Sequence, residues 1–383
     1  MKINPLVKIQ EFGQSIWLDF IRRDMLVSGE LKRLIDEDGL RGMTSNPAIF
    51  EKAITETPDY VSAIRGLVLE GKNTEAIYQN LAIDDIGLAA DVLHTVFSKT
   101  DGRDGFVSIE VSPHLARDTD GTINEARYWW TVLNRPNVLV KVPATKEGLV
   151  AIEQLISEGI NINVTLLFGL ERYSAVAEAY IRGLEKRLEM GLPLDKVSSV
   201  ASFFLSRIDV LADPALEMIV KKGGASAATA ASLRGETAIA SAKVAYQIYK
   251  GIFYSKRFRS LAQKGAKTQR VLWASTSSKD PSYSDVKYVE PLIGPDTVNT
   301  LPMETLNAYR DHGNPASRLE DDAEKAKNVL KTLEELGIDL PQLTQRLEDE
   351  GVDKFIKPFD KLMDNLDKRR KDILVESAGS QPQ

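Results

Sequence analysis

Three charged residues stand inside short apolar segments, and their side chains could together perform carbonyl chemistry. Lys141, Glu110 and Asp19 each lie near the carboxyl end of such a segment, and the pattern predicts buried strands there. Burying a lysine ammonium is costly unless the charge is paired or lost. The neutral amine is a nucleophile toward carbonyl groups, and nearby carboxyl groups can carry the protons that such a reaction moves.

A structural ion pair between Lys141 and Glu110 is the alternative explanation for this pattern. Such a pair is weak evidence for stability, because apolar side chains in the same place often serve as well. Three charged residues, each near the carboxyl end of a predicted strand, favour catalysis over an ion pair.

Uncharged polar residues follow several of the same segments, and they are Thr44, Ser45, Asn46, Asn163, Thr165 and Ser202. Asn46 also fits the position of a helix cap, since a proline follows it. Arg207, together with Ser202 and Lys279, is suited to a phosphate group, because a guanidinium fork matches phosphate oxygens. A simple ion pair between Arg207 and Asp209 is the alternative for that residue.

The elements that would position these residues alternate along the chain as strand and helix, which predicts βα units around a parallel sheet. Eight strands favour an α/β fold of the (β/α)8 TIM barrel type, in which catalytic groups lie at the carboxyl ends of the strands. The predicted strands are residues 15–20, 40–45, 105–111, 137–143, 160–167, 197–203, 269–274 and 297–301.

Additional helices accompany the predicted barrel. Two are expected between the second and third strands, at residues 60–70 and 74–97, and a helical C-terminal extension is expected at 319–337 and 341–374. We predict one barrel domain over residues 1–375, which includes the C-terminal helices. Residues 376–383 are predicted to form a disordered tail.

The composition excludes several kinds of function. The chain has no cysteine, and its three histidines are scattered, so neither a thiolate nor a histidine zinc site is expected and no metal is predicted. A net charge of -6 disfavours nucleic acid as a partner. No segment approaches the roughly 18 apolar residues of a membrane span, and no secretory signal is evident, so we expect a cytoplasmic protein.

Taken in chain order, six of the segments resemble strand-end motifs of the transaldolase family, which are class I aldol-transfer enzymes with a (β/α)8 barrel. The matching segments are residues 17–19, 44–47, 109–111, 140–143, 163–168 and 202–209. Each motif is weak alone, whereas six in order are specific. The segments 273–277, 283–285 and 294–300 look like a longer bacterial subfamily.

The resemblance implies catalytic roles for four residues. Lys141 would form the Schiff base, and Asp19 would be the acid or base at the C4 hydroxyl of the sugar. Glu110 would act through a water, which the hydroxyl of Thr165 would position.

The resemblance also implies a set of substrate-binding residues. Asn46 and Asn163 would hold hydroxyls of the dihydroxyacetone unit, and Ser202 and Arg207 would hold the phosphate. Thr44 is a further substrate-binding candidate. The shorter family members place an arginine shortly after the seventh strand, where this chain has Lys279. We expect Lys279, or Ser277 and Ser278, to take over that phosphate role.

The resemblance thus implies transfer of a dihydroxyacetone unit between sugar phosphates, without a cofactor. Sedoheptulose 7-phosphate or fructose 6-phosphate would be the donor, and glyceraldehyde 3-phosphate or erythrose 4-phosphate the acceptor. A Schiff-base aldolase that releases free dihydroxyacetone is one alternative, and a non-catalytic barrel that binds sugar phosphates is another. Small sugar phosphates are the expected partners, with no membrane and a monomer or homodimer as the assembly.

Overall fold

The computed structural model describes residues 4–379 and contains the eight predicted strands, each within two residues of its predicted bounds. The strands are β1 Gln14–Asp19, β2 Gly42–Thr44, β3 Phe106–Glu110, β4 Val138–Pro143, β5 Ile162–Leu167, β6 Ser199–Phe204, β7 Arg270–Ala274 and β8 Thr297–Leu301.

The eight strands form one closed barrel in chain order, and β8 pairs with β1 to complete it. Each neighbouring pair is parallel, as the βα alternation predicts. Every residue of β4 and β5 is buried, because one face of a parallel barrel packs on helices and the other fills the interior. The predicted (β/α)8 TIM barrel with additional helices is confirmed.

Helices follow the strands and surround the barrel. They are α1 Pro5–Ile9, α2 Arg23–Val27, α3 Glu30–Asp38, α4 Pro47–Glu56, α5 Val61–Leu69, α6 Thr74–Lys99, α7 Thr119–Leu133, α8 Lys146–Glu158, α9 Leu170–Glu189, α10 Ser206–Lys222, α11 Ala227–Leu233, α12 Thr237–Phe253, α13 Lys256–Ala262, α14 Met303–His312, α15 Ala323–Glu335 and α16 Leu340–Gly379. Short 3-10 helices occupy Gln10–Phe12, Pro58–Tyr60, Pro113–Leu115 and Glu290–Leu292.

The C-terminal helix α16 lies over the carboxyl ends of the strands. It packs on α4, α5 and α6, and it also contacts α10 and β5. Gly351 of α16 sits so close to the end of β5 that an added Cβ would be 3.0 Å from Leu166. The helix continues to Gly379, whereas the sequence predicts a tail from residue 376. Residues 380–383 lie outside the described residues.

A buried polar network joins the amino-terminal ends of three strands, on the face opposite to the predicted site. Arg270 Nη2 donates to Asp104 Oδ1 at 2.8 Å, and the hydroxyl of Ser15 donates to Asp104 Oδ2 at 2.8 Å. Only 7% of each charged side chain is exposed. Burial raises the pKa of Asp104, but Arg270 and the hydrogen bonds outweigh it and hold that pKa below its ordinary value.

Replacing Asp104 by asparagine should lower the free energy of unfolding by about 3 kcal/mol or more, because Arg270 would stay buried without its counter-charge. Urea unfolding at pH 7 measures the change. The stability that ionised Asp104 contributes to the wild type is fully present above its unfolded-state pKa, near 3.8. It is lost as the pH falls through the lower folded-state pKa. Asp36→Asn, in an exposed pair with Lys32, is the control and should change stability little. Equal effects of the two variants would contradict a stabilising role for the Asp104 pair.

Candidate active site

The barrel register places three of the predicted site residues side by side. Glu110 of β3 is paired with Lys141 of β4, and Lys141 is paired with Asn163 of β5. Residues that are paired across parallel strands point to the same side of the sheet, so the three side chains form one row. Thr165 lies further along β5, next to a bulge between Val164 and Leu167. Bulges often occur beside active sites, where they re-aim side chains.

The amine of Lys141 is buried and only loosely paired. Its Nζ donates to the carbonyl oxygen of Ser45 at 3.0 Å, whereas the nearest oxygen of Glu110 is 3.9 Å away. Both side chains are 5% exposed. The distance to Glu110 exceeds that of a hydrogen bond, so this contact lacks the geometry by which a buried ion pair offsets its desolvation.

Neither carboxyl oxygen of Glu110 has a hydrogen-bond partner among the described residues, although both are buried. Burial is the main cause that raises the pKa of Glu110 to about 7, with Lys141 acting to lower it and Asp19 acting to raise it. A carboxyl group with that pKa can both donate and accept a proton near neutral pH.

Asp19 at the end of β1 is held by a hydroxyl from the neighbouring strand. Thr44 Oγ1 donates to Asp19 Oδ1 at 2.7 Å and lies 2.8 Å from the hydroxyl of Thr300 on β8. Burial raises the pKa of Asp19 above its ordinary value, opposed by Lys141, by the Thr44 hydrogen bond and by Lys279 and Arg207.

A cavity of about 300 Å³ opens at the carboxyl ends of the strands. Its lining includes seven of the predicted site residues, namely Asp19, Thr44, Asn46, Lys141, Ser202, Arg207 and Lys279. Glu110, Asn163 and Thr165 do not line the cavity and are buried. The structure therefore brings most of the predicted residues to one cavity, with Glu110 beside the amine of Lys141.

The polar side chains of β5 and β6 are linked to each other. The hydroxyl of Ser202 donates to Asn163 Oδ1 at 2.6 Å, and Asn163 Nδ2 donates to the hydroxyl of Ser108 at 3.0 Å. The hydroxyl of Thr165, in contrast, is buried and has no hydrogen-bond partner in the part of the chain that the structure describes. The proton of Ser202 is thus already used, and its donation to a phosphate would require the hydroxyl to turn away from Asn163.

Asn46 caps a helix, as its position before a proline predicts. Its Oδ1 accepts a hydrogen bond from the backbone of Ile49 at 3.1 Å, at the start of α4. The cap uses only the carbonyl oxygen. The amide nitrogen of Asn46 makes no hydrogen bond within residues 4–379 and lines the cavity with the rest of the side chain.

Arg207 forms no hydrogen bond or ion pair within residues 4–379, so the alternative pairing with Asp209 is wrong, and its guanidinium lies 5.7 Å from the centre of the Phe204 ring. Asp209 accepts hydrogen bonds from the hydroxyl of Tyr288 and from the backbone of Ala238, both at 2.8 Å. The Nη1 of Arg207 is buried and has no partner among the described residues. Burial lowers the pKa of Arg207 from its ordinary value, so an anion brought to this group would relieve an unfavourable charge.

Lys279 lies in the loop after β7 and faces the cavity with Ser277. Its Nζ donates to the hydroxyl of Ser277 at 2.6 Å. Ser278, which was the other candidate there, donates instead to the carbonyl oxygen of Asp280 and does not line the cavity.

The cavity is also lined by residues to which the sequence analysis gave no role in the site, namely Lys52, Ser275, Thr300, Glu304 and Phe355. Thr300 had a usable signal, because it is a polar residue at the carboxyl end of β8. Phe355 had none, because it comes from α16, whose position over the barrel depends on contacts far away in the chain. The C-terminal extension therefore contributes to the site.

A closed parallel barrel with a cavity at its carboxyl ends, a buried lysine amine and two carboxyl groups beside it defines an enzyme of Schiff-base carbonyl chemistry. The family model described as Transaldolase/Fructose-6-phosphate aldolase matches residues 16–366. The chain belongs to this family, and it is an enzyme with transaldolase activity.

Similar proteins cover nearly the whole chain. A protein named Transaldolase 2 from Nostoc sp. (strain PCC 7120) is 49% identical over 96% of this chain and 98% of its own length. Transaldolases from Trichodesmium erythraeum and Thermobifida fusca are 47% and 44% identical, over 97% and 95% of this chain and 99% and 97% of their own lengths.

Two further observations concern the described residues alone. No helix between residues 4 and 379 combines the length and the apolar character needed to cross a membrane. Over the same part of the chain, no group of three histidine, aspartate or glutamate side chains is arranged to hold a metal ion.

Proposed function

We propose that this transaldolase carries its dihydroxyacetone unit on Lys141, in the non-oxidative pentose phosphate pathway. The donor is sedoheptulose 7-phosphate or fructose 6-phosphate, and the acceptor is glyceraldehyde 3-phosphate or erythrose 4-phosphate. The observation that carries this assignment is the buried amine at the cavity, 3.9 Å from a Glu110 carboxyl group that accepts no hydrogen bond within residues 4–379.

The first step forms the Schiff base. The amine of Lys141 attacks the C2 ketone of the donor, one proton passes from the attacking nitrogen to the C2 oxygen, and that oxygen leaves as water when it receives a second proton. Glu110 supplies this proton through a water held by Thr165, which leaves an iminium cation. Support comes from the buried oxygens of Glu110 and Thr165, because none of them has a hydrogen-bond partner within the described residues.

The second step breaks the bond between C3 and C4. Asp19 takes the proton of the C4 hydroxyl, the C4 oxygen becomes the carbonyl of the released aldose phosphate, and the bonding electrons move into the iminium. A dihydroxyacetone enamine then remains on Lys141 until an acceptor aldehyde reverses these steps. The raised pKa of Asp19 suits a base that must also return its proton in the reverse direction.

Substrate binding divides between two parts of the cavity. Arg207 and Lys279 bind the phosphate, because neither cation forms an ion pair with an acid within residues 4–379. Thr44 and Asn46 bind hydroxyls of the dihydroxyacetone unit, and Asn163 contributes through its hydrogen bond with Ser202. Ser202 reaches the phosphate only after turning from Asn163.

Borohydride reduction in the presence of fructose 6-phosphate should add the mass of a reduced dihydroxyacetone or ketose unit to Lys141, because only an iminium is reduced and fixed. Peptide mass spectrometry locates the label. Label on another lysine, such as Lys146 or Lys279, would overturn the assignment.

Product analysis separates transfer from the aldolase alternative. With fructose 6-phosphate as donor and erythrose 4-phosphate as acceptor, we expect sedoheptulose 7-phosphate and glyceraldehyde 3-phosphate as the main products, with little free dihydroxyacetone. Free dihydroxyacetone as the main product would favour the aldolase. Binding without any trapping would favour the non-catalytic barrel. The cytoplasm as location, and a monomer or homodimer as assembly, are proposed from the sequence.

A further inference from the structure

One cation at the cavity takes no part in the mechanism above. Lys52 lies on α4, is exposed, and forms no ion pair or hydrogen bond within residues 4–379. Ala48 and Ile49, which precede it by four and three positions, line the same cavity. Residues at this spacing share one face of a helix, so Lys52 lies on the face that α4 turns toward the substrate.

The neighbouring acid on α4 does not neutralise Lys52. Glu51 is buried and pairs with Lys361 of α16 at 2.9 Å, on another face of the helix. The rim of the cavity carries one exposed acid, Glu304, and no ion pair joins it to Lys52. The charge of Lys52 is therefore available to a ligand.

The cavity is cationic in a chain whose net charge is -6. Its charged lining consists of Lys52, Lys141, Arg207 and Lys279 against the acids Asp19 and Glu304. Lys141 and Asp19 serve the bond-breaking steps, which leaves three cations from α4, α10 and the loop after β7. A concave surface of this kind attracts a dianion, and its field is strongest where water is partly excluded.

We propose that Lys52 binds the substrate phosphate and completes a three-cation subsite with Arg207 and Lys279. This inference rests on the proposed function, because it takes the sugar phosphate as the ligand. A lysine is a flexible point charge, whereas the fork of Arg207 fixes a direction. Lys52 can therefore follow the phosphate as the sugar chain of the substrate changes in length.

The test compares Lys52→Met and Lys52→Arg in the full chain. With fructose 6-phosphate as donor, Lys52→Met should raise KM about tenfold and leave kcat within about twofold, because a bound phosphate contact stabilises ground state and transition state alike. Lys52→Arg should restore most of the affinity. With unphosphorylated fructose as donor, the variants and the wild type should differ by less than about twofold.

Inorganic phosphate provides a second measurement that needs no change of donor. As a competitive inhibitor against fructose 6-phosphate, it should bind Lys52→Met several-fold more weakly than wild type. Lys99→Met is the matched control, because Lys99 ends α6 just before β3 begins and so lies at the amino-terminal face of the barrel. It should change neither KM nor inhibition by phosphate.

Two outcomes would overturn the role of Lys52. An unchanged KM and an unchanged inhibition constant would show that Lys52 is only solvated, and an equal loss with fructose and fructose 6-phosphate would show that it shapes the cavity instead. Borohydride labelling distinguishes these two outcomes from a failure of the proposed Schiff-base mechanism. Lys52→Met should still be labelled at Lys141 when fructose 6-phosphate is saturating.

Discussion

Replacing Lys141 by methionine is expected to lower the rate of transfer by about 10,000-fold or more, which is the scale of losing a covalent nucleophile. Methionine has a similar length and no charge, so it fits the buried space that Lys141 occupies between Glu110 and the carbonyl oxygen of Ser45. The variant should stay folded, since Lys141 forms no close ion pair with Glu110 and methionine removes the cost of burying the charge of the amine. Steady-state transfer assays and circular dichroism measure the two properties.

The controls for this variant are lysines near the site that the mechanism does not use as nucleophiles. Lys146→Met, at the start of α8, should keep near-normal activity and borohydride labelling. Lys279→Met should weaken binding of the phosphate but leave Lys141 labelled. A folded Lys141→Met protein with near-normal activity would exclude the Schiff base on Lys141. Label that persists in Lys141→Met would point to a different lysine.

The sequence predicts the barrel well because each strand and helix has its own pattern of apolar residues within a short segment of the chain. Strands that are buried on both faces require apolar segments, and the alternation with helical patterns then leaves few arrangements of a sheet. The same rule identifies Asp19, Glu110 and Lys141 as unusual, because each places a charged residue inside an otherwise apolar strand segment. Their convergence follows from the barrel, in which all carboxyl ends of the strands meet on one face.

The alternative pairing of Arg207 with Asp209 fails for a reason that is also local. Residues two positions apart on a helix point to different sides, so these two side chains of α10 do not face each other. Asp209 instead binds Tyr288 and the backbone of Ala238, on elements packed against α10. The role of Ser202 is harder to predict, since its hydrogen bond to Asn163 depends on the orientation of two side chains.

The parts of the site that the sequence does not reveal come from elements outside the barrel strands. Phe355 reaches the cavity because α16 docks over the strand ends, and that docking depends on contacts such as Arg172 with Glu348 and Lys361 with Glu51. Lys52 cannot be distinguished from the other exposed lysines until the structure shows which face of α4 lines the cavity. Neither position has a local signature in the sequence.

Replacing Glu110 by glutamine is expected to lower the rate of transfer about 100-fold to 10,000-fold, which is the range for losing a general acid or base. Burial raises the pKa of Glu110 from 4.5 to about 7, so the wild-type group is still protonated at pH 6 and loses its proton as the pH passes 7. If its proton expels the C2 oxygen, kcat/KM should decline above about pH 7. Glutamine cannot titrate, so this decline should be absent from the variant.

The control must separate Glu110 from other carboxyl groups with raised pKa values. Burial also raises the pKa of Glu125, which accepts hydrogen bonds from the backbone of Ser112 and from Trp129 and does not line the cavity. Glu125→Gln should keep the wild-type decline above pH 7. A decline that persists in Glu110→Gln would show that Glu110 is not the group that must be protonated for this step. Borohydride labelling of Glu110→Gln should be slower than that of wild type but should still occur at Lys141. The variant keeps the nucleophilic amine of Lys141 and loses only the proton donor.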